Sequence, residues 1–260
     1  MIPFTYFTTQ LSVVPIRALP THKSEQVSQL LFGEAVLCLR KQGEWLYIRC
    51  RWDDYEGWVQ AVQLSAVSEA WYAKQLENQS FAFELLLPAS TDDSFLPLPL
   101  GASLPYYDGI NARLGETHYR YTGQILEVSA NLKTADWVLK IALRYLHAPY
   151  LWGGRSPFGI DCSGLAQMAF LMTGVLLPRD ASQQITCGET VDFLQNAQPA
   201  DLAFFCSEQG NITHVGILLD ANTILHASGQ VRIDAIDGFG IFNRDLQKHT
   251  HQLCRIKRIF

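Results

Sequence analysis

The run Tyr150-Leu151-Trp152-Gly153-Gly154-Arg155-Ser156-Pro157-Phe158-Gly159-Ile160-Asp161-Cys162-Ser163-Gly164 decides how the C-terminal half of the chain folds and where its chemistry lies. Glycine and proline mark its first part as loop, whereas Leu165, Met168, Ala169 and Met172 recur at helical spacing until Gly174 stops the pattern. A helix is therefore expected to start at Asp161 or Cys162. The Cys162 sulfur would lie over its first turn, where unpaired amides and the helix dipole favour an anion, so a lowered thiol pKa and donors for an oxyanion are expected. Asp161 either caps the helix or grips a cationic group of a substrate.

Downstream come His214, in Thr213-His214-Val215-Gly216-Ile217, and His226, in Leu225-His226-Ala227-Ser228. Both lie in strand-like sequence separated by the short turn Asp220-Ala221-Asn222. A three-residue turn pairs 219 with 223 and sets 216 opposite 226, which brings both imidazoles to one sheet face as diagonal neighbours; a two-residue turn would put His226 on the other face. A cysteine at a helix start with two histidines in register is the layout of a nucleophile, its base and an orienting group. His22, His118, His147, His249 and His251 lie in polar or loop-like sequence and read as surface residues. Cys162, His214 and His226 are metal-ligating types, but no short-spaced ligand pair accompanies them, and no metal or cofactor is expected.

Before this region the texture differs. Residues 1–66 alternate apolar and polar in short runs, with a hairpin expected across Glu44–Trp52, Asp53–Gly57 and Trp58-Val59. Residues 67–128 are rich in proline and short apolar runs, such as Phe95-Leu96-Pro97-Leu98-Pro99, which argue against helices and for loops and edge strands. From residue 129 a helix is expected over Leu132–Leu146, ahead of Pro149, followed by the Cys162 helix and a strand-rich half; helices segregated from an antiparallel sheet make an α+β domain.

At 260 residues, 48% hydrophobic and 17% charged, the chain has enough apolar surface for sizeable cores, and disorder is excluded. The net charge of −5 and scattered basic residues leave no footprint for nucleic acid. No stretch reaches the roughly 20 apolar residues that span a bilayer. The N-terminal stretch Met1–Gln10 lacks the basic region of a secretory signal, so a cytoplasmic location is expected, or a periplasmic or secreted one if a leader has been removed. The six cysteines, Cys38, Cys50, Cys162, Cys187, Cys206 and Cys254, are widely spaced and read as reduced thiols, with Cys38 and Cys206 as buried small hydrophobes; a reducing compartment fits.

Six motifs in order resemble the NlpC/P60 cysteine peptidases: Pro149–Gly154, Asp161–Leu165, Pro178–Gln184, Pro199–Phe205, His214–Ile217 and His226–Ser228. The resemblance spans about residues 130–260 and departs at Ala200, where the family usually has glycine before Asp-Leu. It implies a papain-like α+β domain over 129–260 that cleaves peptides of bacterial murein. By position, Cys162 is then the nucleophile, His214 the general base and His226 the orienting residue, with the Tyr150 hydroxyl near the nucleophile and helping the oxyanion hole. Trp152, Arg179, Asp180, Ser182, Asp161 and Ser163 are candidate lining residues, with a wall aromatic as the alternative for Tyr150 and Trp152 and a structural ion pair for Arg179.

Gly43–Ile48 with Gly57-Trp58-Val59 resembles bacterial SH3-like domains, over residues 1–66, and 67–128 is expected to be a second, degenerate one. Two such modules before an NlpC/P60 domain resemble the γ-D-glutamyl-L-diamino acid peptidases, in which an N-terminal acid and an aromatic hold the free amine of L-Ala. Glu34 and Trp58 are the candidates here, a solvated turn acid and a barrel-core aromatic being their alternatives. The implied substrate is a murein-derived peptide of the L-Ala-γ-D-Glu-diaminopimelate type. The rivals are an amidase or acyltransferase using the same Cys-His-His site, and a non-catalytic wall-binding protein. Oligomeric state is not legible.

Overall fold

A computed structural model describes residues 5–77 and 79–260; residues 1–4, the start of the apolar N-terminal stretch, and residue 78 lie outside the described residues. The chain divides into two compact units, Met1–Val128 with Trp152–Pro157, and Ser129–Leu151 with Phe158–Phe260. Among the described residues, no helix is long and apolar enough to cross a membrane.

In the N-terminal unit, β1 (Tyr6–Thr8), β2 (Val13–Arg17), β3 (Gln26–Leu31), β4 (Ala35–Gln42), β5 (Trp45–Cys50), β6 (Glu56–Gln60) and β7 (Ser65–Val67) form one sheet in the order β3-β2-β6-β5-β4-β1-β7. Period-two alternation builds its core: Leu46, Ile48 and Cys50 of β5 point inward and pack with Val14, Ile16, Leu30, Val36 and Val59. The expected hairpin is β5–β6, with Tyr47 opposite Trp58. The next segment holds α1 (Glu69–Lys74), β8 (Ser80–Ala82), β9 (Leu86–Ser90), β10 (Phe95–Pro99), β11 (Asn111–Leu114), β12 (Thr117–Arg120) and β13 (Ile125–Glu127). Its strands pair as β10-β9-β12-β11 and β13-β8. Helix α1 corrects the expectation of no helix here: Ser68 caps it by accepting from the Trp71 amide, and Trp71 anchors it in a core with Phe32, Leu98, Tyr119 and Tyr121. The prolines are accommodated as strand residues, Pro88 facing Pro97 across β9 and β10. The short strand β14 (Arg155–Ser156) completes the unit.

The C-terminal unit opens with α2 (Ala135–Leu143), shorter than the expected Leu132–Leu146 because Thr134 caps it, accepting from the Trp137 amide. After β15 (Gly159–Ile160) comes α3 (Cys162–Leu171), then α4 (Ala181–Gln184). The sequence pattern predicts a one-sided apolar stripe for α3, yet every residue of α3 is buried, Ser163, Gly164 and Gln167 included. The sheet comprises β16 (Glu189–Val191), β17 (Leu202–Cys206), β18 (Ile212–Leu218), β19 (Thr223–Ser228), β20 (Gln230–Ile236), β21 (Gly240–Asn243) and β22 (Lys248–Arg258). Its order is β16-β22-β17-β18-β19-β20-β21, and because β21 also pairs with β22 the six strands β17 to β22 close into a barrel. Phe205, Leu218, Ile224, Ile236, Ile241 and Ile256 fill it.

Two details of this unit bear on the sequence. Ala200 adopts φ 70°, the left-handed region that costs a side chain roughly 1–2 kcal/mol, which accounts for glycine being usual there. Cys206 and Cys254 are joined in a disulfide, Cα to Cα 5.8 Å, linking β17 to β22. The reading of all six cysteines as reduced thiols is therefore corrected for these two, and with it the support that reading lent to a reducing compartment. They lie 48 residues apart in sequence and meet only because the two strands pair.

Candidate active site

Helix α3 begins where the sequence places it. Asp161 is the N-cap, its Oδ1 accepting from the Gly164 amide at 2.7 Å. The same carboxylate receives the buried Arg179 guanidinium through two bonds, 2.9 Å to Oδ1 and 2.6 Å to Oδ2, and Arg179 also donates to Ser163 Oγ at 2.8 Å. Asp161, Ser163 and Arg179 thus make one buried brace under the nucleophile. The ion-pair alternative holds for Arg179, and the cation that Asp161 grips is Arg179. Asp180 and Ser182, also expected to line the site, sit at the start of α4, Asp180 in a capping box with Gln183 and Ser182 exposed.

Cys162 is the first residue of α3 and 7% exposed. Contrary to the expectation of an acidified thiol, burial pushes it up to about 11; the Asp161 carboxylate adds to this, while the Val215 and Ser163 amides and the Arg179 charge oppose it. The helix terminus does supply donors, but desolvation outweighs them. Tyr150, half-buried, is likewise pushed up to about 12 by burial and by the nearness of Cys162 and Asp161, so its hydroxyl keeps its proton and can donate.

Strand β18 brings the base. Gly216 faces His226, Ile217 faces Leu225 and Leu218 faces Ile224, the register of the three-residue turn. His214 and His226 consequently share a face, with Nε2 of the former 3.0 Å from Nδ1 of the latter. Glycine at 216 makes this fit: a Cβ there would stand 2.6 Å from Ile224 Cδ1 and 3.0 Å from His226 Cβ. Next to His214, the Val215 amide points toward the Cys162 sulfur.

The chain of bonds continues to a residue that the motif reading leaves out. His226 Nε2 lies 3.0 Å from Asp234 Oδ2, and Arg232 donates to Asp234 Oδ1 at 2.9 Å. Burial would raise the Asp234 carboxyl, but the hydrogen bonds from His226 and Arg232 prevail and hold it below the usual range, so it is ionised and can only accept. The network then assigns the tautomers: His226 carries its proton on Nε2, its Nδ1 accepts from His214 Nε2–H, and His214 Nδ1 is left with a lone pair. His214 is held well below its ordinary pKa, first by burial and then by His251 and His226, and is neutral at pH 7. Resting thiol and imidazole are both uncharged.

His251, read from sequence as a surface residue, stacks on His214 at 4.2 Å between ring centroids and meets His226 edge-on at 5.6 Å. Its pKa is lowered to about 4, mainly by burial. The surface reading holds for His22 and His249, both exposed, although His22 packs edge-on against Trp45 and His249 pairs with Asp237 at 2.9 Å. Asp234 had one legible signal, an acid at a buried position of a strand two residues beyond the partner of His226; His251 had none, because β22 reaches the site through its non-local pairing with β17.

The other sequence candidates belong to the N-terminal unit. Glu34 is 1% exposed, not a solvated turn acid: Oε2 accepts from Arg155 Nη1 at 2.8 Å and from the Leu31 amide at 3.1 Å. Arg155 also donates to the Gln29 carbonyl. The carboxylate expected to await a substrate amine is thus already paired with a cation. Trp58 is buried, tilted against Tyr47 at 5.1 Å with the Arg40 guanidinium 5.0 Å above it, surroundings that suit the barrel-aromatic alternative. Trp152 is 58% exposed and donates through Nε1 to Glu25 at 2.6 Å.

Comparison with known proteins agrees with this geometry. Residues 147–251 match the model of the NlpC/P60 family, and residues 16–64 match that of the bacterial dipeptidyl-peptidase SH3 domain. The chain is 33% identical over 246 residues, 90% of its length and 81% of the relative's, to a γ-D-glutamyl-L-lysine dipeptidyl-peptidase of Bacillus subtilis. It is 29% identical to dipeptidyl-peptidase 6 of Lysinibacillus sphaericus, covering 84% of this chain and 87% of that one. The solved structure of an NlpC/P60 family protein from Bacillus cereus superposes with a TM-score of 0.81 at 19% identity, covering 98% and 99% of the two chains, which is likeness of fold. A relative one-third identical along nine-tenths of the sequence, and a family match that falls on the thiol and both histidines, establish that the chain belongs to the NlpC/P60 family of cysteine endopeptidases and carries a bacterial SH3 domain ahead of its peptidase domain.

Proposed function

We propose that the enzyme hydrolyses the bond between γ-D-Glu and the following diamino acid in murein-derived peptides that begin with a free L-Ala, such as L-Ala-γ-D-Glu-diaminopimelate, and so serves the recycling of wall peptides. The observation that carries this is the relay His214–His226–Asp234 beside a cysteine at a helix start, in a chain similar along most of its length to a γ-D-glutamyl-L-lysine dipeptidyl-peptidase. We read the C-terminal unit as papain-like and residues 67–128 as a second, degenerate SH3-like module.

In this mechanism His214 Nδ1 takes the thiol proton as the Cys162 sulfur attacks the γ-carbonyl carbon of D-Glu. The energetic difficulty is creating a thiolate in a buried place, so proton transfer and attack are coupled rather than preceded by a standing ion pair. Asp234, through His226, favours the imidazolium that results. The Tyr150 hydroxyl and the amides at the start of α3 stabilise the oxyanion. Collapse expels the diamino acid amine, protonated by His214, and leaves a thioester of L-Ala-γ-D-Glu on Cys162. Water, deprotonated by His214, then releases the dipeptide.

Mass spectrometry of products from the tripeptide tests this. L-Ala-γ-D-Glu plus diaminopimelate is expected. Cleavage of a different amide, or acyl transfer without hydrolysis, would favour the amidase or acyltransferase alternative, and unchanged tripeptide a wall-binding role.

A further inference from the structure

We propose that His214, His226 and His251 form a three-imidazole site for a divalent transition metal, zinc foremost, and that filling it switches the peptidase off. One ring nitrogen from each of the three lies within 4.8 Å of the others. Around a tetrahedral zinc with Zn–N distances near 2.0–2.1 Å, ligand nitrogens stand roughly 3.3 Å apart. The His214–His226 pair, at 3.0 Å, already has that spacing. His251, its nitrogen within 4.8 Å of the other two, completes the set by turning its ring off the His214 face, and neutral imidazole is a good ligand for this ion.

The surroundings favour the same conclusion. Histidine ligands in metal sites hand their second nitrogen to a carboxylate or a carbonyl, which fixes the ring and raises its basicity. Asp234 does this for His226, and Thr250 Oγ1 stands 2.9 Å from His251 Nδ1. An entry path exists as well, since His251 lines an open groove with Phe239, His249 and Leu253. The ion would replace the proton shared between His214 and His226 and hold His214 as a ligand. The peptidase proposed above needs that proton to sit there and His214 free to move its own. Nothing in that reaction passes through His251, so the stacked third imidazole is the feature it leaves unexplained.

The inhibitory half of this inference rests on the peptidase reading; the binding half does not. The full-length chain is titrated calorimetrically with zinc chloride, and cobalt(II) is added in parallel for its visible spectrum. One ion per chain is expected, with the spectrum of a tetrahedral, nitrogen-rich site. Both His251→Phe, which keeps the stacked ring, and His251→Gln should weaken binding at least about tenfold, whereas Cys162→Ala should leave it unchanged. In turnover assays zinc should inhibit the wild type, EDTA should reverse the inhibition, and His251→Phe should resist it. Absence of a one-to-one zinc complex, binding that both His251 variants keep, or binding lost in Cys162→Ala and therefore placed on the thiol would each overturn the proposal. A wild type that binds zinc through His251 but cleaves no peptide would contradict the peptidase reading and not the metal site.

Discussion

Replacing Asp234 by Asn changes one atom and should reverse the polarity of the relay. Asp234 now accepts from His226 Nε2 at 3.0 Å and from Arg232 at 2.9 Å. An asparagine turns its carbonyl to the permanently charged Arg232 and its NH2 to His226. His226 must then carry its proton on Nδ1, His214 must accept at Nε2, and the His214 proton moves to Nδ1, the nitrogen needed for the thiol. Loss of the charge alone, roughly 8 Å away across two 3.0 Å bonds and a ring, removes about 2 kcal/mol at an effective dielectric of about 20. That is about thirtyfold in kcat, and the wrong tautomer extends the loss toward about 10⁴-fold, the size of the equivalent change in a Ser-His-Asp triad. Asp234→Ala leaves His226 free to keep its tautomer and should retain more kcat than Asp234→Asn. Steady-state kcat on the tripeptide, with circular dichroism as the folding control, checks this; an Asn variant within about threefold of wild type, or one better than Ala, would refute the relay.

Cys162 alkylation by iodoacetamide should rise steeply with pH, without a plateau near neutrality, because its thiol is pushed up to about 11, and Cys187, the partly exposed free thiol, should label first; a neutral-pH plateau for Cys162 would mean a standing thiolate. Thermal stability should fall as pH drops from 6.5 toward 4, since His251, at about 4, and His214, lower than usual, stay neutral in the fold while their unfolded counterparts take up protons; a melting temperature flat across that window would contradict it. Gly216→Ala should lower both stability and kcat, by about 1–3 kcal/mol of overpacking for the first, as the new methyl meets Ile224 and His226; a variant with wild-type kcat would show that His226 need not be held there.

What could be read from the sequence follows from how local each constraint is. The start of α3 is written in Asp161 and the residues after it, and the pairing of His214 with His226 is written in three turn residues, because side chains alternate with period two. Asp234 lies across the tight β19–β20 hairpin from His226, but His251 arrives through β22, whose pairing with the distant β17 also brings Cys206 to Cys254. The thiol pKa escapes the sequence for a related reason. A helix N-terminus is visible in sequence, but the burial of α3 on every side is a property of the packed unit. Glu34 likewise looks like a turn acid until Arg155, distant in sequence, is found beside it.

In the proposed mechanism Cys162 carries the L-Ala-γ-D-Glu group through the reaction. Its most direct test is acid quench of the enzyme during turnover of L-Ala-γ-D-Glu-diaminopimelate, followed by intact-mass and peptide mapping. The dipeptidyl group should appear on the peptide containing Cys162, as a hydroxylamine-labile thioester, and be absent from Cys162→Ala, which should also form no product. Cleavage of the tripeptide by Cys162→Ala at the wild-type rate, or the acyl group on any other residue, would contradict this mechanism.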